Sequence, residues 1–90
     1  MYRTYVNDET GTTVIVNFEE MMEEYPEYQD ECEDIIKSVG KKFSDVVESI
    51  DEPQDYYYVI SCSTEDDAED VENYVIEAFN DLEENIDNSW

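Results

Sequence analysis

Hydrophobic and polar positions along this chain switch between two periods, one suited to strands and one to helices. Residues 2–7 (YRTYVN) and 12–18 (TTVIVNF) are short runs of β-branched and aromatic residues. The connection between them, Asp8-Glu9-Thr10-Gly11, ends in glycine and signals a hairpin. Residues 43–50 (FSDVVESI) and 56–62 (YYYVISC) repeat the arrangement around Asp51-Glu52-Pro53-Gln54-Asp55. A long acidic stretch with helical periodicity follows each pair.

The last stretch is the clearer helix. Thr64 is placed as its N-cap, with Asp67 three residues on in a capping-box position. Val71, Val75, Ala78, Phe79, Leu82 and Ile86 then fall within about 100° of one another around the axis, an apolar stripe. In the middle stretch, residues from Phe18 to Val39 (Met21, Met22, Tyr25, Tyr28, Cys32, Ile35 and Ile36 among them) keep one phase across Pro26. This pattern predicts a kinked helix over roughly 19–39, in preference to a break before Pro26. Gly40 is placed at its end, and Lys37, Lys41 and Lys42 sit where cations suit a helix C-terminus.

Val14, Val16 and Phe18 match Tyr58, Ile60 and Cys62, and Tyr28, Cys32, Ile36 and Val39 match Val71, Val75, Phe79 and Leu82. The shared patterning suggests a repeated ββα unit. The expected fold is therefore α+β in the order ββα-ββα. A four-stranded, mainly antiparallel sheet carries two acidic helices on one face. Residues 1–90 form a single domain, since this length leaves room for one core only.

Charge changes the picture most. The chain has 27 acidic and 4 basic residues and no histidine, for a net charge of −23 at pH 7. Solubility asks for a net charge of only ~2–8 in a small domain. Salt adaptation fits poorly with two alanines, two glycines and eight tyrosines. The hydrophobic content of 40% is enough for a core, which argues against disorder despite the charge. Direct nucleic-acid binding and membrane association are disfavoured by repulsion. The N-terminus, Met1-Tyr2-Arg3-Thr4-Tyr5, has no apolar leader, and Cys32 and Cys62 match no zinc or redox spacing. The expected setting is the cytoplasm, with reduced thiols.

No enzyme is expected: there is no histidine, no glycine-rich phosphate loop and no base beside a serine. No cofactor or metal is expected either. Asn7-Asp8-Glu9-Thr10-Gly11 has the wrong spacing for a calcium loop, and Asp66, Asp67, Glu69 and Asp70 would gather only counterions.

The placement of the acids carries more information. On the final helix, Asp66, Asp70, Glu77, Asp81 and Glu84 form one row, and Glu65, Glu69, Glu72 and Glu83 a second about 100° around the axis. Residues 19–34 add Glu19, Glu20, Glu23, Glu24, Glu27, Asp30, Glu31, Glu33 and Asp34. Ordinary solvated helix faces mix signs, because Glu–Lys pairs at i,i+4 stabilise and like pairs repel. Residues 64–90 contain eleven acids and no base, so local helix stability has been given up along the whole surface. An i,i+4 step advances ~6 Å, near the phosphate spacing along a DNA strand once the helical path is added to its rise of ~3.4 Å.

The run Tyr56-Tyr57-Tyr58 adds a second candidate surface. If Tyr56, Tyr58 and Ile60 face the helices, Tyr57 and Val59 lie on the open face of the sheet with Tyr5 and Ile15. These four are candidates for a homodimer or partner contact.

In its acid-lined helices (EEMMEEYPEYQDECED and TEDDAEDVENYVIEAFNDLEEN), small size and near absence of bases, the chain resembles phage-encoded acidic DNA-mimic inhibitors. The resemblance spans the chain but lies in charge layout, and no diagnostic motif carries it. It implies a phage protein of host takeover, acting in the host cytoplasm by occupying the DNA-binding surface of a basic protein. HU-type histone-like nucleoid proteins are favoured among such targets, because binding them needs charge more than base-specific shape. The alternative is a small acidic adaptor that binds through its tyrosine-rich sheet face.

Overall fold

The computed structural model describes residues 2–7 and 9–88, with side chains as far as Ile86. Asp8, in the first connection, lies outside the described residues. The fold is α+β: an antiparallel four-stranded sheet and three α-helices. β1 (Arg3–Val6) and β2 (Thr13–Asn17) form the first hairpin, and β3 (Val47–Gln54) and β4 (Tyr57–Cys62) the second. The strands lie in the order β1-β2-β4-β3, with β2 and β4 paired at the centre. Val14 opposes Ile60 and Val16 opposes Tyr58. The segments matched by the repeat thus run side by side at the middle of the sheet, with Val14 and Val16 each opposite the other's match, and each hairpin puts its first strand at an edge.

Alternation sends one face of the sheet inward. Val14, Val16, Ile60 and Cys62 join Met21 and Met22 of α1 (Glu19–Glu24), Cys32, Ile36 and Val39 of α2 (Gln29–Lys42), and a stripe from α3 (Glu65–Asn88) in one buried cluster. Of the expected α3 stripe, Val71, Val75, Phe79, Leu82 and Ile86 are buried and Ala78 is half-buried, while Ala68 extends the buried face toward the start of the helix. At the start of α3 the Thr64 hydroxyl accepts the Asp67 N–H at 3.2 Å, a side-chain cap on an otherwise orphan donor. Gly11, at φ 67°, closes the first hairpin with its N–H donated to the Asn7 carbonyl. A Cβ there would lie 2.8 Å from the Glu65 carboxylate, so glycine lets the turn approach α3.

The middle stretch departs from the kinked helix. α1 ends before Tyr25 (φ −134°, ψ 63°), and Pro26 opens a 3-10 turn over Pro26–Tyr28 that leads into α2. Proline disfavours helical backbone in the residue before it, and at the first position of a new turn its missing N–H costs nothing. Apolar phase survives the break because Met21 and Cys32 still meet, sulfur to sulfur, at 3.5 Å. The far end differs as well. Gly40 does not stop α2, which runs to Lys42; a Cβ there would meet Ile50 Cδ1 of β3 at 3.5 Å, an ordinary contact.

The second hairpin is shifted toward the C-terminus. Residues 43–46 form a turn, where Phe43 leaves the sheet to meet Tyr74 of α3 edge-on at 5.6 Å. The strand continues through Pro53, which an edge tolerates because no ladder N–H is required there. Register shifts between Val47 and Ser49 and between Asp51 and Gln54 accommodate the acidic run. Tyr56 is a turn residue at φ 64°, an unusual conformation for a bulky side chain. Its ring packs on Phe18 at 5.6 Å and its carbonyl accepts the Phe18 N–H at 3.0 Å, contacts that hold it there. Its ring therefore does join the core side, but from the turn.

Candidate acidic surface and open sheet face

The two rows on α3 are held from both sides. Tyr2, beside β1, stacks on Phe79 at 5.0 Å and its hydroxyl donates to Asn80 Oδ1 at 2.7 Å. On the other flank the hydroxyls of Tyr74 and Ser38 of α2 share a hydrogen bond of 2.7 Å, and Lys42 Nζ lies 4.7 Å from the Tyr74 ring centre. With its apolar stripe buried, α3 presents its carboxylates from a fixed rod ~36 Å long, at 1.5 Å per residue over 24 residues.

Asp66, Asp70, Glu77, Asp81 and Glu84 are all exposed. In the second row Glu65 and Glu69 are exposed while Glu72 and Glu83 are half-buried, as expected for positions flanking the apolar stripe. Glu19, Glu20, Glu23 and Glu24 of α1, Glu27 of the 3-10 turn, and Asp30, Glu31 and Asp34 of α2 are exposed; Glu33 is half-buried and accepts a hydrogen bond from Gln29 at 3.3 Å. Two groups gather around surface hollows. Glu65, Glu69 and Glu72 line one of about 400 Å³ beside Gly11, and Glu19, Glu20 and Glu23 line another of about 480 Å³ with Tyr2, Arg3 and Asn17.

A further acidic element, which helical periodicity does not mark, lies on the sheet. Asp45, Glu48, Asp51, Glu52 and Asp55 are exposed along the β3 edge and its turns. Pro53 made the second half of this run look like a loop, although strong charge on a strand is itself a signal of an edge.

The field of these carboxylates reaches the acidic groups of the interior. Burial, followed by the charges of Glu31 and Glu33, pushes the Cys32 thiol up to about 12. Tyr58 is raised to about 12, first by burial, then by the charge of Glu52 and a hydrogen bond with it. Cys62 rises through burial, then Asp67 and Glu48; Tyr2 rises through burial, then Glu83. Each group holds its proton more tightly when folded than unfolded. The stabilisation is complete below the unfolded value, near 8.5 for Cys and 10 for Tyr, and is lost as pH climbs toward about 12. Thermal melts should therefore show a falling melting temperature from about pH 9 upward.

The open face is as the alternation predicts. Tyr5, Ile15, Val59 and Asp51 form one row across the four strands. Ile15 is buried to 9% exposure yet stands apart from the main core cluster. Tyr5 and Tyr57 lie on the strands either side of β2, and hydrogen bonding with Tyr5, ahead of burial, raises the Tyr57 phenol above its usual value. Tyr5 itself is 41% exposed.

No protein-family model matches the chain, and neither a curated protein nor a solved structure is significantly similar to it. Among the described residues no helix is long and apolar enough to cross a membrane, and no three His, Cys, Asp or Glu side chains converge as metal ligands.

Proposed function

We propose that this protein is a DNA mimic that occupies the DNA-binding surface of a basic protein and competes with duplex. The observation that carries the reading is charge per length. The Cα trace extends 40 × 22 × 21 Å, so a net charge of −23 amounts to about one unit per 1.7 Å of the long axis. Duplex DNA carries one charge per ~1.7 Å. A binding cleft selected for that density finds it reproduced, on side chains fixed to helices packed on a core.

In this mechanism the carboxylates of α1, α2 and α3 pair with lysines and arginines of the target and speed its encounter. No base-specific pattern is imitated, which favours a target that reads charge and shape, such as an HU-type nucleoid protein. The reading places the protein in the cytoplasm of a host cell and makes it phage-encoded.

The test is a titration of purified HU-type protein with this chain across a salt series. Affinity should fall at least tenfold as the Debye length shrinks from about 14 to about 6 Å, on going from ~0.05 to ~0.3 M salt. Binding that is absent at low salt, or indifferent to salt, would overturn the proposal.

A further inference from the structure

The open face of the sheet breaks the acidic pattern of the molecule. Its second row is Arg3, Asn17, Tyr57 and Gln54. The strands hold three carboxylates, all in β3. Glu52 hydrogen-bonds to Tyr58, a residue of the helix side, and Glu48 sits exposed in the register shift between Val47 and Ser49. Asp51, opposite Val59, is the one left on the open face. The lysines are all in α2, so Arg3 is the only base of the sheet. The strands of this face thus carry one cation at the β1 edge, bordered by Glu19, Glu20 and Glu23 of α1, one anion at the β3 edge, and Tyr5, Tyr57 and Val59 around the nearly buried Ile15 between.

We infer that a second copy of the chain docks here, sheet against sheet, about a two-fold axis parallel to the strands. Such an axis keeps height along the strands and reverses their lateral order, so β1 lies over β3 of the second copy. Tyr5 then faces Asp51 of that copy, Ile15 faces Val59, and Arg3 reaches Asp51 from the neighbouring row. Symmetry makes each contact twice. The other face-to-face two-fold, perpendicular to the strands, would lay β1 over β1 and β3 over β3, so that the edge with Arg3 meets its own copy and the edge with Asp51 likewise, with no opposite charges brought together. Among the described residues the other bases, Lys37, Lys41 and Lys42, are exposed on α2, away from the sheet, while this face sets opposite charges at the two edges of an apolar row.

The size of the face sets the strength of the contact. Strands ~4.8 Å apart with a rise of ~3.3 Å per residue give a footprint roughly 20 Å on a side. That is below the ~800 Å² per partner of a standard interface, which makes the dimer reversible. Repulsion between two chains of −23 opposes it, so added salt should strengthen dimerisation, opposite in sign to target binding. The dimer directs the helices of both copies outward and leaves their carboxylates free.

Sedimentation equilibrium of the protein alone, over a range of concentrations and at low and moderate salt, tests this without any target. A monomer–dimer equilibrium that tightens with salt is expected. Arg3 and Asp51 are exposed, so Arg3→Glu and Asp51→Arg leave the fold intact, as a melting curve will check. Each should weaken the dimer about tenfold or more, by replacing an attraction with a like-charge contact at both symmetry-related sites. The double variant R3E/D51R should recover the native constant to within a few-fold. A monomer at every concentration and salt overturns the inference, as does a dimer that ignores Arg3→Glu or a double variant no better than either single one. Loss of target binding with the dimer intact would instead count against the DNA-mimic reading alone.

Discussion

Phe79→Ala should lower the melting temperature by roughly 15–30 °C, the largest effect of any single substitution considered. Phe79 is fully buried and touches the fold at three levels. It stacks on Tyr2 at 5.0 Å, meets Phe18 at 5.6 Å, and sits in the middle of the α3 stripe. Truncating a buried phenylalanine costs ~3–5 kcal/mol. A domain of this length holds a total of only ~5–13 kcal/mol, and self-repulsion draws on that reserve. Circular dichroism melts in the same buffer measure the change. A drop below ~5 °C would mean that α3 is not anchored as described.

The second large effect concerns binding. Replacing Asp66, Asp70, Glu77 and Asp81 with Asn or Gln (D66N/D70N/E77Q/D81N) should weaken binding to an HU-type protein roughly 20- to 600-fold. The figure takes each exposed carboxylate as about two- to fivefold in affinity and treats the four as independent. Stability should change little. Asp66–Asp70 and Glu77–Asp81 are like-charged i,i+4 pairs whose relief favours the helix, while Asp66 loses a favourable place in the first turn. Isothermal titration beside a melting curve separates the two quantities. Unchanged affinity would move the function to the tyrosine-rich face, where an adaptor would bind.

Much of this arrangement is legible in the residues themselves. The α3 stripe, the Thr64 cap and the exposure of Asp66, Asp70, Glu77, Asp81 and Glu84 follow from a single period of 3.6. The row Tyr5, Ile15, Val59 follows from a period of 2 once the hairpins are placed. Competition between local terms hid the rest. Across Pro26 the apolar phase continues, because both flanking helices pack on the same core, so phase alone could not show that the backbone between them is not α-helical. In β3 the acids and Pro53 argue for a loop, and only the position at the sheet edge makes them acceptable in a strand. Tyr56 occupies a backbone conformation that its residue type disfavours, and long-range packing on Phe18 decides the matter.

An ordered surface of one sign behaves differently from a loose polyanion, and Phe79→Ala makes the comparison at constant charge. Displacement of a fluorescent duplex from an HU-type protein should be followed with the native chain and with this variant, at a temperature between their two melting transitions. The native chain is expected to release the duplex at roughly tenfold lower concentration or better, because its carboxylates are already ordered on helices packed to a core. Equal release by the folded and unfolded chains, or none by either, would contradict it.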